Sequence, residues 1–267
     1  MPKTKPKTGT VIALKKLTKT YGTGEASFEA LSNITLEIKR GEFVAIMGPS
    51  GCGKTTLLNI LGLLDTASTG EYDLDEQSVA RLTSARRARI RAGQIGFIFQ
   101  HFNLINSMNV LENVSLPLIY NRIGKLKRER TASQVLKSVY LSEREYYMPY
   151  QLSGGQAQRA AIARALVNNP SIILADEPTG NLDSKATDII MNELRHIHAR
   201  GNTIIMVTHN PDLTAYADRL IHMKDGRIAS DTKFPAPKVD PTVKRPLGRS
   251  RRTQAAATTT RVKRSKA

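Results

Sequence analysis

The chain has 267 residues and a formal net charge of +17 at pH 7, with no Trp and only 5% aromatic residues. This length is enough for one domain with a substantial aliphatic core. The longest purely apolar runs have four or five residues, far short of the roughly 20 that span a bilayer. No leader-like apolar segment follows the basic start of the chain. The single Cys excludes an internal disulfide and is typical of a reducing compartment.

Most of the positive charge lies at the two ends of the sequence. Residues 235–267 carry ten Lys or Arg and one acid, and residues 1–10 carry three Lys and no acid, which leaves +5 for residues 11–234. An evenly basic protein would suggest nucleic-acid binding, but this distribution argues against it. We predict a basic N-terminal tail (1–10), one domain (11–234) and a basic, disordered C-terminal tail (235–267) that is too poor in apolar residues to fold.

The predicted elements of the domain alternate between strands and helices. Apolar residues alternate over positions 34–38, which predicts a half-buried strand. Phe43–Met47 is a continuous apolar run that leads through a glycine-rich segment into a helix, and 172–175 and 203–207 are similar short buried strands. Between the last two, apolar residues repeat at helical spacing behind a cap at Asp183 or Ser184. This order predicts a layered α/β core.

Residues from about 84 to 164 have a different pattern. They are predicted to be mainly helical, apart from a strand-like patch at 95–99. The clearest helices are predicted at 109–120 and 127–140.

A phosphate-binding motif follows the predicted strand Phe43–Met47. Eight consecutive residues fit the pattern G-x-x-x-x-G-K-[ST] without a mismatch: Gly48, Pro49, Ser50, Gly51, Cys52, Gly53, Lys54 and Thr55. Such glycines let backbone N–H groups turn toward a nucleotide triphosphate at the start of a helix. Lys54 is expected to reach the β- and γ-phosphates, Thr55 to ligate Mg²⁺, and Thr56 to contact the α-phosphate. Cys52 fills a variable position, and we interpret it as a small packing residue rather than a redox switch.

A second motif narrows the protein class. Leu152-Ser153-Gly154-Gly155-Gln156 ends 20 residues before Asp176, which follows a buried strand and precedes Glu177. Together with the phosphate loop, this arrangement resembles the ATP-binding-cassette (ABC) ATPases over roughly residues 14–230. The resemblance implies an α/β P-loop NTPase cassette with a layered sheet core and an inserted helical subdomain at about 84–164. It also implies ATP and Mg²⁺ as cofactors and ATP hydrolysis as the reaction.

The resemblance also assigns roles around the reacting phosphate. Asp176 matches the acid that holds Mg²⁺, and Glu177 matches the catalytic glutamate that polarises the attacking water. Gln100 matches the glutamine that contacts metal or water. His209 matches the histidine that senses the γ-phosphate. From the residues alone, an acidic pair could merely begin a turn, and a lone His could be structural.

The segment Ser153, Gly154, Gly155 and Gln156 would be a second anion-binding helix N-terminus. Since one loop already surrounds the phosphates, the second implies that ATP is clamped between two subunits, head to tail, in a homodimer. Asp183 resembles the loop residue that crosses this interface. Tyr21 lies where the family stacks an aromatic ring on adenine, although it could instead pack on the sheet.

Three further segments, at 59–65, 97–104 and 178–183, resemble the macrolide-export, lipoprotein-release and cell-division ATPase group. That group works with a separately encoded transmembrane permease, which would place this chain at the cytoplasmic face of the membrane as a peripheral subunit. We expect the permease contact near Gln100, at Phe102, Leu104 and Ile105, with packing in the subdomain interior as the alternative. One departure is Ala157, where the family commonly has Gln; we expect it on a helix surface.

Other classes fit less well. A chromosome- or repair-type ABC ATPase would place a long coiled coil between the phosphate loop and Ser153, and no sustained heptad is present. A ribosome-associated factor would carry two cassettes. We keep a non-transport ABC ATPase that acts on nucleic acid or the ribosome as the alternative function. For the favoured function, a transporter ATPase, no nucleic-acid partner is expected. For the C-terminal tail we predict contact with anionic lipid, with a solubility role or RNA contact as alternatives.

Overall fold

The computed structural model describes residues 9–234. Most of the predicted N-terminal tail and all of the C-terminal tail (235–267), including its predicted disorder, therefore lie outside the described residues. The strands are β1 (Thr10–Tyr21), β2 (Phe28–Lys39), β3 (Phe43–Met47), β4 (Thr69–Leu74), β5 (Gln77–Ser78), β6 (Ile95–Ile98), β7 (Ile172–Asp176), β8 (Thr203–Val207), β9 (Arg219–Lys224) and β10 (Arg227–Lys233). The helices are α1 (Lys54–Leu61), α2 (Ser84–Gln94), α3 (Val110–Tyr120), α4 (Lys125–Ser138), α5 (Gly154–Leu166) and α6 (Ser184–Ala199).

A six-stranded sheet, in the order β10-β9-β3-β8-β7-β6, forms the centre of the domain. Strands β9, β3, β8, β7 and β6 run parallel, and β10 pairs antiparallel with β9. The central strands β3, β7 and β8 are almost fully buried, as expected of parallel strands that are covered on both faces. All three predicted buried strands are confirmed, and β7 extends one residue further to end at Asp176.

A second, antiparallel sheet has the order β2-β1-β4-β5 and contains the predicted alternating strand as part of β2. Its inner face packs on α1 and on one face of the parallel sheet. The shared core includes Leu14, Leu17, Ile34, Leu57, Ile60, Leu174 and Val207.

The opposite face of the parallel sheet is covered by helices α3 to α6. Successive residues of a strand point to opposite faces of the sheet. Val44 therefore belongs to the core shared with the antiparallel sheet, the first core, while its neighbours Phe43 and Ala45 belong to a second core beneath the helices. The second core also includes Val114, Leu136, Ile162 and Leu194, one from each of the four helices.

The segment predicted as helical, 84–164, contains α2 to α4, all but the last two residues of α5, and also the edge strand β6, which pairs in parallel with β7. The strand-like patch at 95–99 is thus confirmed as part of the parallel sheet. Helix α3 begins one residue later than predicted, and α4 begins and ends two residues earlier. A capping box between Asn109 and Glu112 starts α3. Within residues 9–234, no helix is long and apolar enough to cross a membrane.

Candidate functional site

The phosphate loop connects β3 to α1 in a conformation that requires glycine. Gly53, the N-cap of α1, has a φ of +97°, and a Cβ on it would lie 2.6 Å from the Ala30 carbonyl oxygen. A Cβ on Gly48 would overlap the Met223 carbonyl oxygen. The loop is therefore pressed against β2 and β9, and a side chain at either position would push it away.

Charge at the loop comes from one lysine. The Lys54 ammonium donates hydrogen bonds to the carbonyl oxygens of Gly48 at 2.7 Å and Pro49 at 2.8 Å. The first turn of α1 contains no acid, so its positive helix end is not neutralised. Cys52 is buried under the loop, in agreement with a packing role. The outer loop residues, Pro49, Ser50, Gly51 and Thr55, are exposed, and Thr56 is half-buried.

Two acids stand at the end of β7, next to the phosphate loop in the parallel sheet. Asp176 is the last residue of the strand, beside Val207 of β8. Burial and the negative charge of Glu177 raise the pKa of Asp176, and the Lys54 ammonium opposes this rise only in part. An acid in this environment binds a cation favourably, because the cation removes the electrostatic cost of its ionised form.

The Glu177 carboxylate is held by three hydrogen bonds. Its Oε1 accepts from the His209 backbone N–H at 2.9 Å and lies 2.7 Å from His209 Nδ1, and its Oε2 accepts from the Thr208 hydroxyl at 3.2 Å. The Glu177 backbone, at a φ of +45°, donates to Val207. The structure thus brings Glu177 and His209 together. The sequence analysis assigned no role to Thr208. Its position directly between a buried strand and His209 could have indicated that it belongs to the site.

Gln100 is joined to the loop that precedes α6. Its side-chain amide donates to Asn181 Oδ1 at 3.4 Å, and its backbone carbonyl accepts from Asn181 Nδ2 at 3.1 Å. A Cβ on Gly180 would lie 2.7 Å from the Gln100 amide nitrogen, so glycine is needed for this approach. The buried side chain of Gln158 donates to the Pro178 carbonyl at 2.6 Å. Asn181 and Gln158 were not predicted, and no local pattern indicates them.

The segment Ser153 to Gln156, called the signature segment from here on, begins α5 with a capping box. The Ser153 hydroxyl accepts from the Gln156 N–H at 3.4 Å, and the Gln156 side chain accepts from the Ser153 N–H at 2.9 Å. The two glycines pack closely on the start of α6 and the loop before it: a Cβ on Gly154 would lie 3.2 Å from Leu182, and one on Gly155 would lie 3.5 Å from Ala186.

Asp183 lies beside this segment as the N-cap of α6, where its carboxylate accepts from the Ala186 N–H at 2.8 Å. The signature and the start of α6 line a shared surface depression of about 380 Å³. Ala157, expected on a helix surface, is 6% exposed. That expectation was wrong, because α5 packs its face with Ala157 against the protein interior.

Tyr21 ends β1 and is 40% exposed. Its hydroxyl donates to Asp65 Oδ2 at 2.7 Å. The exposed ring leaves surface on which a base could stack, whereas a ring packed on the sheet would be covered.

The residues predicted to contact a permease do not form an open surface together. Leu104 is partly buried and packs on the second core, which supports the alternative of interior packing for this residue. Phe102 is half-buried with its ring near Gly154, and Ile105 is exposed. An apolar groove of about 420 Å³ lies nearby, between the parallel sheet and α3, and is lined by residues that include Leu64, Phe97, Phe99, Leu116 and Tyr120.

Comparison with known proteins finds relatives that all belong to one family. A family model for ABC transporters matches residues 31–180. The uncharacterised ABC transporter ATP-binding protein MJ1508 of Methanocaldococcus jannaschii is 51% identical over 218 residues, which cover 82% of this chain and 97% of the relative. The macrolide export ATP-binding/permease protein MacB of Mannheimia succiniciproducens is 46% identical over 223 residues, which cover 84% of this chain but 35% of MacB.

Solved structures agree with the fold. The ATP-binding cassette MJ0796, a dimer in a post-hydrolysis state bound to ADP and Pi, is 45% identical, with a TM-score of 0.77 over 85% of this chain and 100% of that chain. The cbiO1 protein of Clostridium perfringens, part of the cbiONQ ABC transporter complex, is 28% identical, with a TM-score of 0.75 over 84% of this chain and 88% of that chain. The family match, the identities and the common fold show that this chain belongs to the ABC transporter family as an ATP-binding and ATP-hydrolysing cassette.

Proposed function

We propose that this ABC ATPase hydrolyses ATP between two copies of itself and thereby drives a separately encoded transmembrane permease. The observation that carries the proposal is the fixed position of the Glu177 carboxylate. Three hydrogen bonds to Thr208 and His209 hold it at the end of β7. In the parallel sheet only β8 separates β7 from β3, the strand that leads into the phosphate loop.

In the proposed reaction, Glu177 accepts a proton from the water that attacks the γ-phosphorus. The bond between the γ-phosphorus and the bridging oxygen breaks, and its electron pair stays with ADP. Lys54 exchanges its hydrogen bonds to Gly48 and Pro49 for phosphate oxygens and stabilises their negative charge. His209 orients Glu177, and its exposed ring is available to the γ-phosphate.

Mg²⁺ fits this site by the chemistry of its donors. Thr55, Asp176 and Gln100 offer a hydroxyl, a carboxylate and an amide oxygen, which are the hard ligands that Mg²⁺ prefers. The raised pKa of Asp176, caused by burial and by Glu177, adds an electrostatic reason for a cation here. The bound ion would neutralise phosphate charge.

The dimer is supported by the two separate helix N-termini. The phosphate loop packs on β2 and β9, whereas the signature packs on the start of α6, so the two segments contact different parts of one chain. Two copies arranged head to tail would place the signature, Ser153 to Gln156, of one on the phosphates bound by the other, with Asp183 near the interface. The solved MJ0796 structures are described as dimeric.

The permease contact is proposed at the apolar groove between the parallel sheet and α3. Leu64 and Tyr120 are exposed there, and its position beside the Gln100 loop lets ATP-dependent movements reach it. We expect Leu64→Asp and Tyr120→Asp to abolish copurification with the permease when the two chains are co-expressed. Leu126→Asp is the matched control, since Leu126 is 85% exposed outside the groove. Equal binding by all three variants would place the contact elsewhere.

The proposed location is the cytoplasmic face of the membrane, beside the permease. The basic tail 235–267, with its +9 charge, would add contact with anionic lipid, at about 1 kcal/mol per basic residue near the surface. Flotation with anionic liposomes, with and without the tail and at low and high salt, tests this. Equal flotation of both proteins would remove the lipid role, and preferential RNA binding would support the RNA alternative.

The central test is Glu177→Gln. If Glu177 polarises the water, turnover falls by about 10²–10⁴ while ATP still binds, and size-exclusion chromatography shows a dimer that retains ATP. Near-normal turnover would refute the assignment.

A further inference from the structure

Tyr21 is held in place by two residues to which no role has been assigned above. Its hydroxyl donates to Asp65 Oδ2 at 2.7 Å. The Lys19 ammonium donates to the other oxygen, Oδ1, at 2.8 Å and lies 4.6 Å from the centroid of the Tyr21 ring. The three side chains therefore form a closed set: an ion pair, a hydrogen bond and a cation–π contact.

This set is anchored at the C-terminal end of α1. Asp65 accepts from the Thr66 N–H at 2.6 Å, and its own N–H donates to the carbonyl of Asn59 in α1 at 3.2 Å. Lys19 is only 8% exposed and also donates to the Thr66 carbonyl at 2.8 Å. Burial opposes ionisation of Asp65, but hydrogen bonds from Lys19 and Tyr21 outweigh it and lower the pKa of this carboxyl.

The geometry determines which part of the ring is free. Lys19 covers one face of Tyr21, and Asp65 fixes the hydroxyl end. Tyr21 is nevertheless 40% exposed, so its ring presents its remaining surface in one defined orientation. An aromatic ring that is already ordered loses less conformational entropy when a ligand stacks on it.

We propose that Asp65, with Lys19, is a positioning residue for the adenine base, because it holds the Tyr21 ring in the orientation that stacks and ties that ring to the helix of the phosphate loop. This inference rests on the proposed stacking of adenine on Tyr21. A purely structural role, joining β1 to α1, would affect the whole nucleotide site and not the base alone.

The experiment compares a ligand with a base and a ligand without one. Calorimetry measures the binding of ADP and of inorganic pyrophosphate, each with Mg²⁺, to the full chain. We expect Tyr21→Phe and Asp65→Asn each to weaken ADP binding by about five- to twentyfold and to change pyrophosphate binding by less than about twofold. Tyr21→Phe removes the hydrogen bond between the two residues, and Asp65→Asn weakens it because a neutral amide replaces the carboxylate. The double variant should therefore weaken ADP binding by much less than the product of the two single effects.

The matched control is Glu71→Gln. It breaks the exposed ion pair between Lys15 and Glu71 on β1 and β4, and both affinities should stay unchanged. Equal weakening of ADP and pyrophosphate, or no weakening, would overturn the positioning role. If Asp65→Asn does not fold, Tyr21→Phe decides alone, since it keeps the ring. Unchanged ADP binding by Tyr21→Ala would show that adenine stacks elsewhere, which refutes the base contact itself while the assignments at Lys54 and Glu177 stand.

Discussion

The phosphate loop before α1 and the signature segment before α5 both place glycines at the N-terminus of a helix, but different forces shape them. The phosphate loop depends on distant partners, since Gly53 lies against Ala30 and Gly48 against Met223. The signature helix is capped by its own residues, Ser153 and Gln156.

The two regions also differ in charge. Lys54 and the acid pair at the end of β7 are the groups that we propose for ATP binding and hydrolysis at the phosphate loop of one subunit. The signature brings hydrogen-bond donors to an exposed surface, beside a depression that Arg159 and Lys185 line. A helix start that is capped by its own residues and carries no reacting group is suited to contact with a partner subunit. A loop that distant residues hold in place is suited to a site that must bind its ligand tightly.

The largest expected effect tests whether the two regions act across subunits. Lys54→Ala and Ser153→Arg chains should each lose roughly 10² or more in ATP turnover. Mixing them should restore part of it, because both lesions fall in one composite site and leave the other intact. A mixture of Lys54→Ala with Glu177→Gln should stay inactive, since these residues serve the same side of each site. Rescue only in the second mixture would contradict the head-to-tail arrangement.

A second test separates backbone strain from packing in the phosphate loop. Gly53→Ala should lower the free energy of unfolding by about 2–4 kcal/mol, because it combines a left-handed backbone with a clash. Gly51 has a φ of +78°, but a Cβ added to it would meet no atom within 4 Å, so Gly51→Ala should cost only about 1–2 kcal/mol. Denaturant unfolding measures both values. Equal losses would show that packing against Ala30 does not shape the loop.

Two substitutions at Ser153 separate its capping role from its proposed phosphate contact. Ser153→Ala removes the cap and should cost about 1 kcal/mol of stability. Ser153→Asp keeps a good cap and so keeps stability, but its negative charge should repel the phosphates of the partner's ATP and reduce turnover more than Ser153→Ala does. Thermal unfolding and ATPase assays give the two readings. Full activity of Ser153→Asp would leave capping as the only role.

The smallest expected effect concerns the acid beside the phosphate loop. The pKa of Asp176 is raised by burial and by Glu177, so its ionised form costs stability at neutral pH, and this cost disappears as the pH falls below about 4, where the carboxyl is protonated in both states. Without Mg²⁺, Asp176→Asn should therefore unfold at a slightly higher temperature at pH 7 and at an equal temperature near pH 4. A lower unfolding temperature at pH 7 would contradict this electrostatic account.

Much of the fold could be predicted from the sequence, because its signals are local. Continuous apolar runs marked β3, β7 and β8, and helical spacing marked α3 and α6. Element ends were less accurate: α4 begins two residues before its predicted start, since Leu126 in its exposed first turn is followed at helical spacing by the charged residues Glu129 and Arg130 and so begins no apolar repeat.

The predicted burial of single side chains was less reliable. Leu104 packs on the second core, and Ala157 is buried rather than on a helix surface. Whether one apolar or small residue faces the interior depends on how helices rotate against each other, and a single residue carries no information about that rotation.

The sequence by itself determined the family and indicated the site residues that we propose, because glycine spacing, Lys54, the acid pair and the signature lie in short continuous segments. Only the tertiary structure decided how these groups are held. The donors to Glu177 lie 31 and 32 residues away from it, and Tyr21 meets Asp65 across 44 residues. Such contacts form because β1 packs against α1 and β7 lies beside β8, and strand order and packing are properties of the folded chain.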